Sequence, residues 1–514
     1  MHRRRWLTLA VLSLSLVIIG LDNTILNVAL PTLVRELDAS ASQLQWMVDS
    51  YVLVFAGLLL TMGALGDRFG RKLALNAGLV IFGAASVFAA FAGSADALII
   101  ARSLMGVGGA LIMPSTLSII TNIFTGAERG RAIAAWAAVA GLGIVIGPAL
   151  GGWLLEHYWW GSIFLINIFI VGVAILLGFA LVPESKDPTA TPLDPIGALL
   201  SIAGLVGLVY SIIEAPSNGW LDAATLIGFA LATVLLGAFF WWERQSEHPM
   251  LRLEFFKNPR FSAASGAIAL VFFAMFGTVF MLTQYMQFVL LFSPLEAGIR
   301  IMPIATMIIA APVAARTVER LGSKVVVAAG LTVVAGAMAW LATLDINSGY
   351  GHIAITLSFL GVGMGAAMAP ATESIMCSVP LAKAGVGSAM NDTTRQIGGA
   401  LGVAVLGSVL ASSYSSAMAP IVGVLPPEAA EIAGDSIGGA FAVASRLGEA
   451  GAPLVAAANQ AFVDGMTTAV WVAAVVALIG AVLTAAFLPA KAMDPAERQR
   501  LYGASDTDIE PSQL

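Results

Sequence analysis

Five ionisable side chains stand inside long apolar stretches of this chain: Asp22, Asp49, Arg102, Asp392 and Arg395. A charge at the centre of a hydrocarbon layer costs roughly 3 kcal/mol or more, so each needs a partner, a wet cavity or a task. Asp22 follows Trp6 by 16 residues, about 24 Å along a helix. Asp49 lies roughly 7 Å into the second stretch, and Arg102 roughly 10 Å into the fourth from the same side. The three therefore share a depth within one group of helices. An arginine beside two carboxylates can pair with one and leave the other free to exchange a proton. A static ion-pair network is the plainer alternative. Asp49 is also placed to meet a cationic substrate.

A second polar cluster, Asn391-Asp392-Thr393-Thr394-Arg395-Gln396, falls in a late apolar stretch. Asp392 and Arg395 are three apart, share a helix face and can pair. They read either as a structural pair or as part of a substrate site. Gln284 and Tyr285 are candidates to face a central cavity. Glu373 reads as a further substrate contact or as an interfacial charge. Trp46 and Tyr51 could face the cavity too, although aromatic residues near span ends commonly anchor at the interface.

These residues need helices to carry them. Of 514 residues, 59% are hydrophobic and 11% charged, against about 25% charged in soluble domains. Crossing the hydrocarbon core takes about 20 apolar residues, and the chain holds fourteen such segments. Six lie between Trp6 and Val182, two between Pro195 and Trp242, and six between Phe261 and Pro489. The predicted class is an all-α integral membrane protein with a six-helix bundle (1–182), two inserted helices with their linkers (183–260) and a second six-helix bundle (261–514). The last unit includes a long external loop, 412–465, and a terminal tail. Within that loop, Ile437 to Leu447 has helical spacing and could lie on the outer face as an amphipathic hairpin; an irregular loop is the alternative.

Placing Arg3-Arg4-Arg5 in the cytoplasm and alternating spans puts 20 of the 25 Lys and Arg on the cytoplasmic side. Both termini are then cytoplasmic. No small-residue cleavage site follows the first apolar run, so it reads as a span rather than a signal peptide.

The sequence also repeats. Gly63-Ala-Leu-Gly-Asp67-Arg68-Phe-Gly70-Arg71-Lys72 forms a charged connection between the second and third spans. Glu319-Arg320-Leu321-Gly322-Ser323-Lys324 stands 252 residues later in a matching place. Repeats of this kind build two helical bundles around a substrate path. The first copy can act as a latch, with Asp67 accepting helix-start N–H groups and Arg68, Arg71 and Lys72 pairing with acids of the other bundle. A plain basic anchor is the alternative. Elsewhere Gly143, Gly147 and Gly151 recur every four residues, next to Pro148 and Gly152. They form a flat stripe with a kink, suited to close contact with a helix of the other bundle or to ordinary packing.

The charged connection resembles the signature loop of the major facilitator superfamily. Leu21 to Pro31 resembles the first-span signature of its fourteen-span drug:proton antiporters. Arg102 with Gly106, Gly108 and Gly109 resembles the fourth-span motif, and Gly143 to Gly152 the fifth-span antiporter motif. Gly161 to Asn167 and Ala384 to Gly399 are similar to the same subfamily, which includes quaternary-ammonium and methyl viologen efflux pumps of bacteria. The second loop copy departs from the pattern at Val318 and Ser323. The resemblance implies a bacterial inner-membrane antiporter in which Asp22 and Arg102 take part in proton coupling.

No G-x-x-x-x-G-K-[ST] loop is present, so ATP is not the expected energy source. No Ser/His/Asp set or metal-ligand spacing occurs, and one cysteine excludes an internal disulfide. Energy is then expected from an ion gradient or from the substrate itself, and the resemblance implies a proton gradient; the expectation is a non-enzymatic carrier without cofactor. It would export a lipophilic, cationic small molecule. Its partners would be cargo and membrane lipid, not nucleic acid, and a monomer would suffice. A lipid or metabolite exporter of the same fold, and a non-transporting sensor or platform, are the alternatives.

Overall fold

Apolar runs in hydrocarbon must satisfy their own backbone hydrogen bonds, which makes helices the available solution here. The computed structural model describes residues 2–124, 126–186, 193–379 and 384–489, and among them every regular element is helical. The first bundle comprises α1 (His2–Leu37), α2 (Ala41–Phe69), α3 (Arg71–Ala90), α4 (Ala95–Ile123), α5 (Gly126–His157) and α6 (Ser162–Leu181). The inserted pair is α7 (Pro195–Asn218) and α8 (Ala223–Gln245). The second bundle begins with α9 (Pro259–Gln284), continued by a π turn at Tyr285–Val289. Then come α10 (Pro294–Arg300) and α11 (Thr306–Leu321), which form one broken crossing, α12 (Ser323–Leu341), α13 (Tyr350–Cys377) and α14 (Ala384–Val422). Two short helices, α15 (Pro427–Asp435) and α16 (Ile437–Leu447), precede α17 (Ala452–Phe487).

Among the described residues, thirteen segments are long and apolar enough to cross a membrane. The 32-residue α5 adds a further crossing between α4 and α6. Chain ends and the α2–α3 turn then fall on one face, called here the terminal side. The α15–α16 hairpin falls on the other, the hairpin side.

The charged connection is not a ten-residue loop. Helix α2 runs through Asp67 and Arg68, α3 starts at Arg71, and Gly70 alone turns the chain. Its φ of 130° is open to glycine and strained for other residues. The second copy has the same construction: α11 ends at Leu321, α12 starts at Ser323, and Gly322 has φ 82°. The repeat is thus a repeat of backbone geometry, even where the charges differ.

The long external loop is also shorter than 412–465. Helix α14 continues through Val422 and α17 starts at Ala452. The Ser-rich stretch Ser412 to Ser416 is helical because i−4 carbonyls and neighbouring helices can take up its hydroxyls; Ser412 Oγ accepts from Trp220 Nε1 at 3.0 Å. The expected helix at Ile437–Leu447 is present, and it buries Ile437, Ala440, Val443 and Ala444 instead of resting loosely on the surface. Residues 380–383, between α13 and α14, and the tail after residue 489 lie outside the described residues.

The two bundles touch at the hairpin side. Gln287 Nε2 donates to the Val28 carbonyl at 2.9 Å, and Ser408 Oγ donates to Gln45 Oε1 at 3.4 Å. The Ala41 N–H donates to Asp435 Oδ2 at 2.8 Å. Gly152 of α5 lies against the backbone of Pro294 and Leu295, and Gly298 of α10 against Pro148 and Ala149. No cross-bundle hydrogen bond among the described residues lies at the terminal side.

Candidate functional site

Arg102 is the centre of the first bundle. It is 1% exposed and pairs through Nη1 with Asp22 Oδ2, itself 0% exposed. Its Nε donates to the Met47 carbonyl at 3.1 Å, and its guanidinium lies 4.3 Å from the centre of the Tyr51 ring. Such a cation–π contact contributes about 2 kcal/mol when desolvated. Glycines bring the partners this close. A Cβ on Gly106 would meet the Tyr51 carbonyl oxygen at 2.7 Å, and one on Gly109 the Phe55 ring at 3.1 Å. The fourth-span motif thus seats α2 on α4, so that a backbone carbonyl and an aromatic face reach the guanidinium.

Asp22 and Asp49 do not share Arg102. Met47 and Tyr51 are one turn apart and face α4. Asp49 lies between them in sequence and points to the other side of α2. It sits one turn on from Gln45, whose side chain touches Gly407 of α14. Asp49 is 0% exposed, and neither carboxylate oxygen has a hydrogen-bond partner. Asp22 Oδ1 and the Tyr51 hydroxyl are also buried and unpartnered. Tyr51 is therefore a packing partner of Arg102 and not an interface anchor.

The glycine stripe grips the helix that carries Asp22. Cβ atoms on Gly143 and Gly147 would meet the Val17 and Leu21 carbonyl oxygens, each at 3.0 Å, and one on Gly151 the Ile25 carbonyl oxygen at 3.2 Å. All of these belong to α1 in the same bundle. Gly152 and Pro148 lie off that face, against α10. Of the two readings of the stripe, close packing within the bundle holds for Gly143, Gly147 and Gly151, because the four-residue spacing sets one face and the second-bundle contact lies off that face. Gly147→Leu is expected to push α1 aside, an overpacking that costs about 1–3 kcal/mol and is read as a lower unfolding temperature in detergent. Gly152→Leu should instead weaken the hairpin-side seal, read as increased labelling of a cysteine placed at Leu295.

In the second bundle Asp392 and Arg395 pair at 3.6 Å. Arg395 also donates to Thr372 Oγ1 at 3.3 Å and lies 5.7 Å from the Phe272 ring centre. Tyr285 is buried, but its hydroxyl donates to the Asp345 and Ser348 carbonyls at 3.2 and 3.1 Å. It fastens the α12–α13 connection and does not face the cavity, a correction that only a contact 60 residues away could supply. Gln284 lines a small hairpin-side cavity with Gln45, Gly407, Tyr414 and Asp435. Glu373 is exposed on the stripe of α13 that carries Ile355, Phe359 and Val362. No ion pair joins it among the described residues. No cluster of metal ligands occurs among those residues.

The latch residues pair inside their own half, not with acids of the other bundle. Asp67 Oδ1 accepts from Arg71 Nε at 2.7 Å. The Arg71 N–H donates to the Ser185 carbonyl at 2.8 Å, and Lys72 Nζ to the Phe179 carbonyl at 3.0 Å. Arg68 lies 5.6 Å from the Phe69 ring centre. Gly63 packs on Pro114, 3.3 Å from where its Cβ would stand.

Asp435 was not singled out from the sequence. It caps the first free N–H of α2, whose own N-cap, Ser40, serves Gln43. Burial raises its carboxyl above the ordinary aspartate range, opposed by the Ala41 N–H and Ser436, and Glu431 raises it further. A carboxyl raised on docking takes up a proton as it docks. The hairpin-side contact is therefore expected to strengthen as pH falls through the docked value and to level off below the ordinary range, near about 4. Cross-linking of Ala41→Cys to a hairpin cysteine across pH checks this, and Asp435→Asn should flatten the dependence.

Two helical bundles with a repeated glycine turn, a buried Asp–Arg pair and an inserted helix pair narrow the family sharply. The Major Facilitator Superfamily profile matches residues 12–403. This chain belongs to the major facilitator superfamily. It is 39% identical over 488 residues to the multidrug efflux pump LfrA of Mycolicibacterium smegmatis, covering 94% of this chain and 96% of LfrA. It is 34% identical to the methyl viologen resistance protein SmvA of Salmonella typhimurium, covering 90% and 93%. A bacterial homologue of the lysosomal transporter Spinster, solved inward-facing and unoccupied, shares the fold with a TM-score of 0.65 at 18% identity, over 94% of this chain and 98% of that one. The chain is a multi-pass membrane transporter of this superfamily, with two six-helix bundles and two inserted helices.

Proposed function

We propose that this protein exports lipophilic, cationic drugs or antiseptics in exchange for protons, by alternating access between its two bundles. The terminal side is the cytoplasmic side of a bacterial inner membrane, and the α15–α16 hairpin lies outside. The observation that carries the reading is the buried Arg102–Asp22 pair beside a second buried carboxylate, Asp49, that has no partner. An unpaired ionised carboxylate is expensive to bury. A cargo cation at Asp49 removes that cost, and proton uptake at Asp22 on the adjacent helix is the opposing event.

Asp22 and Arg102 couple proton entry to bundle movement, and Asp49 supplies the counter-charge. Asp392 with Arg395 and Gln284 extend the path in the second bundle, whereas Glu373, on the exposed apolar stripe of α13, lies off it. Energy comes from the proton gradient, with no bound cofactor. Asp67, Arg68, Gly70 and Arg71 stiffen the cytoplasmic ends of α2 and α3 against the linker after α6, so the first bundle rocks as one piece. The similarity to LfrA and SmvA supports drugs and methyl viologen-like cations as cargo. In everted vesicles with an imposed pH gradient, the protein should move a lipophilic cationic dye, and an uncoupler should abolish that movement. Equal movement with and without the gradient would refute the proton-driven reading.

A further inference from the structure

The inserted helices carry two acids that the transport path does not use. Asp194 caps α7, with Oδ1 accepting from the Gly197 N–H at 2.8 Å. Trp242 Nε1 of α8 donates to both of its oxygens, at 2.9 and 3.1 Å. The next residue, Glu243, accepts from the Leu251 N–H through Oε2 at 2.8 Å. Asp194 is 9% and Glu243 4% exposed. Glu243 Oε1 is buried with no hydrogen-bond partner. A Cβ on Gly197 would stand 2.7 Å from Asp194 Oδ2 and 2.7 Å from Glu243 Oε1, so the two oxygens are no more than about 5.4 Å apart. The missing side chain of Gly197 makes the room in which they approach.

We propose that Glu243 carries a proton beside the Asp194 carboxylate, and that the two form a pH-sensitive clasp at the cytoplasmic ends of the inserted helices. Two buried carboxylates this close cannot both stay ionised without a cation. Among the described residues no Lys or Arg forms an ion pair with either. Among the described residues, the groups hydrogen-bonded to the pair are the Trp242 indole N–H and the backbone N–H groups of Gly197 and Leu251; Arg244 on the same helix is exposed. The lone pairs of Asp194 are already taken by three N–H bonds, which leaves little for a hard metal ion that needs six or more oxygens. Glu243 has one N–H donor and one bare oxygen, Oε1, so the proton belongs there, facing the Asp194 carboxylate.

The clasp also fixes the linker into the second bundle. Leu251 is bonded to Glu243, and the neighbouring Met250 accepts through its sulfur from Thr61 Oγ1 of α2 at 3.2 Å. Protonation keeps α8, the linker and the terminal-side half of α2 seated together, and deprotonation drives the carboxylates apart. The inserted pair thereby reads cytoplasmic pH at a place separate from the Asp22–Arg102 centre.

Infrared difference spectra of the full chain in lipid, between acidic and neutral pH and without cargo or gradient, test this apart from any transport claim. A protonated-carboxyl band should appear on acidification and be lost in Glu243→Gln, which copies the protonated shape. In Asp194→Asn, which still caps α7, its midpoint should fall by at least about one pH unit as the like charge is removed. A band unchanged in both variants would overturn the clasp. So would a wild-type band abolished by millimolar Mg²⁺ or Ca²⁺ and restored by chelation, because a metal would then hold the pair.

Discussion

Arg102→Gln is expected to lower gradient-driven efflux about a hundredfold and to destabilise the folded chain. Removing one partner of a buried ion pair costs about 3–5 kcal/mol, because the other charge is left uncompensated. Each 1.4 kcal/mol is about tenfold in an equilibrium. Arg102 also loses the Met47 carbonyl and the Tyr51 ring, which are the contacts that seat α2 on α4. A purely structural role and a coupling role separate in the double variant Asp22→Asn with Arg102→Gln. Removing both charges should recover most of the thermal stability and none of the proton-driven transport. Thermal unfolding in detergent and dye efflux on the same preparations check the two halves. Full recovery of efflux would reduce the pair to a packing device.

Asp49→Asn is expected to discriminate between cargoes. An apolar path accepts many lipophilic compounds, and a desolvated cation needs a counter-charge more than it needs a close fit. Efflux of permanently charged dyes should fall at least tenfold, and efflux of a neutral lipophilic compound should change less than twofold. Asp49→Glu, which keeps the charge, should retain a large share of cation efflux. The variant should also be no less stable than the parent, because it removes a buried carboxylate that has no partner. Equal loss for charged and neutral cargo would assign Asp49 to the bundle contact with α14 instead.

The depth of Asp22, Asp49 and Arg102 was readable because a span has one coordinate that residue counting supplies. Which face each side chain takes was not. Asp49 and Met47 are two residues apart, so they point apart, and only the packing of α2 between α4 and α14 says which direction is which. The repeat was legible at Gly70 and Gly322, where the backbone conformation itself demands glycine. The partners of the charges around Gly70 were not, because Ser185 and Phe179 lie more than a hundred residues away.

Small-residue spacing showed that Gly143, Gly147 and Gly151 form one surface. It could not say that this surface holds α1, since any helix can occupy such a groove. The Ser-rich end of α14 looked like a loop because serine competes for backbone hydrogen bonds, and surrounding helices decided the outcome. Asp435 stood in the sequence as one acid among several in a long external segment. Its role at Ala41 is a contact across 394 residues.

Proton movement is the direct measure of coupling. Sealed vesicles containing the protein and an internal pH dye, without a pre-formed gradient, would be given a cationic cargo gradient. Downhill cargo flow should drive a pH change in the opposite direction, and Asp22→Asn should carry cargo with no pH change. A pH change of wild-type size in Asp22→Asn, or none in the parent while cargo still flows, would contradict proton exchange at this carboxylate.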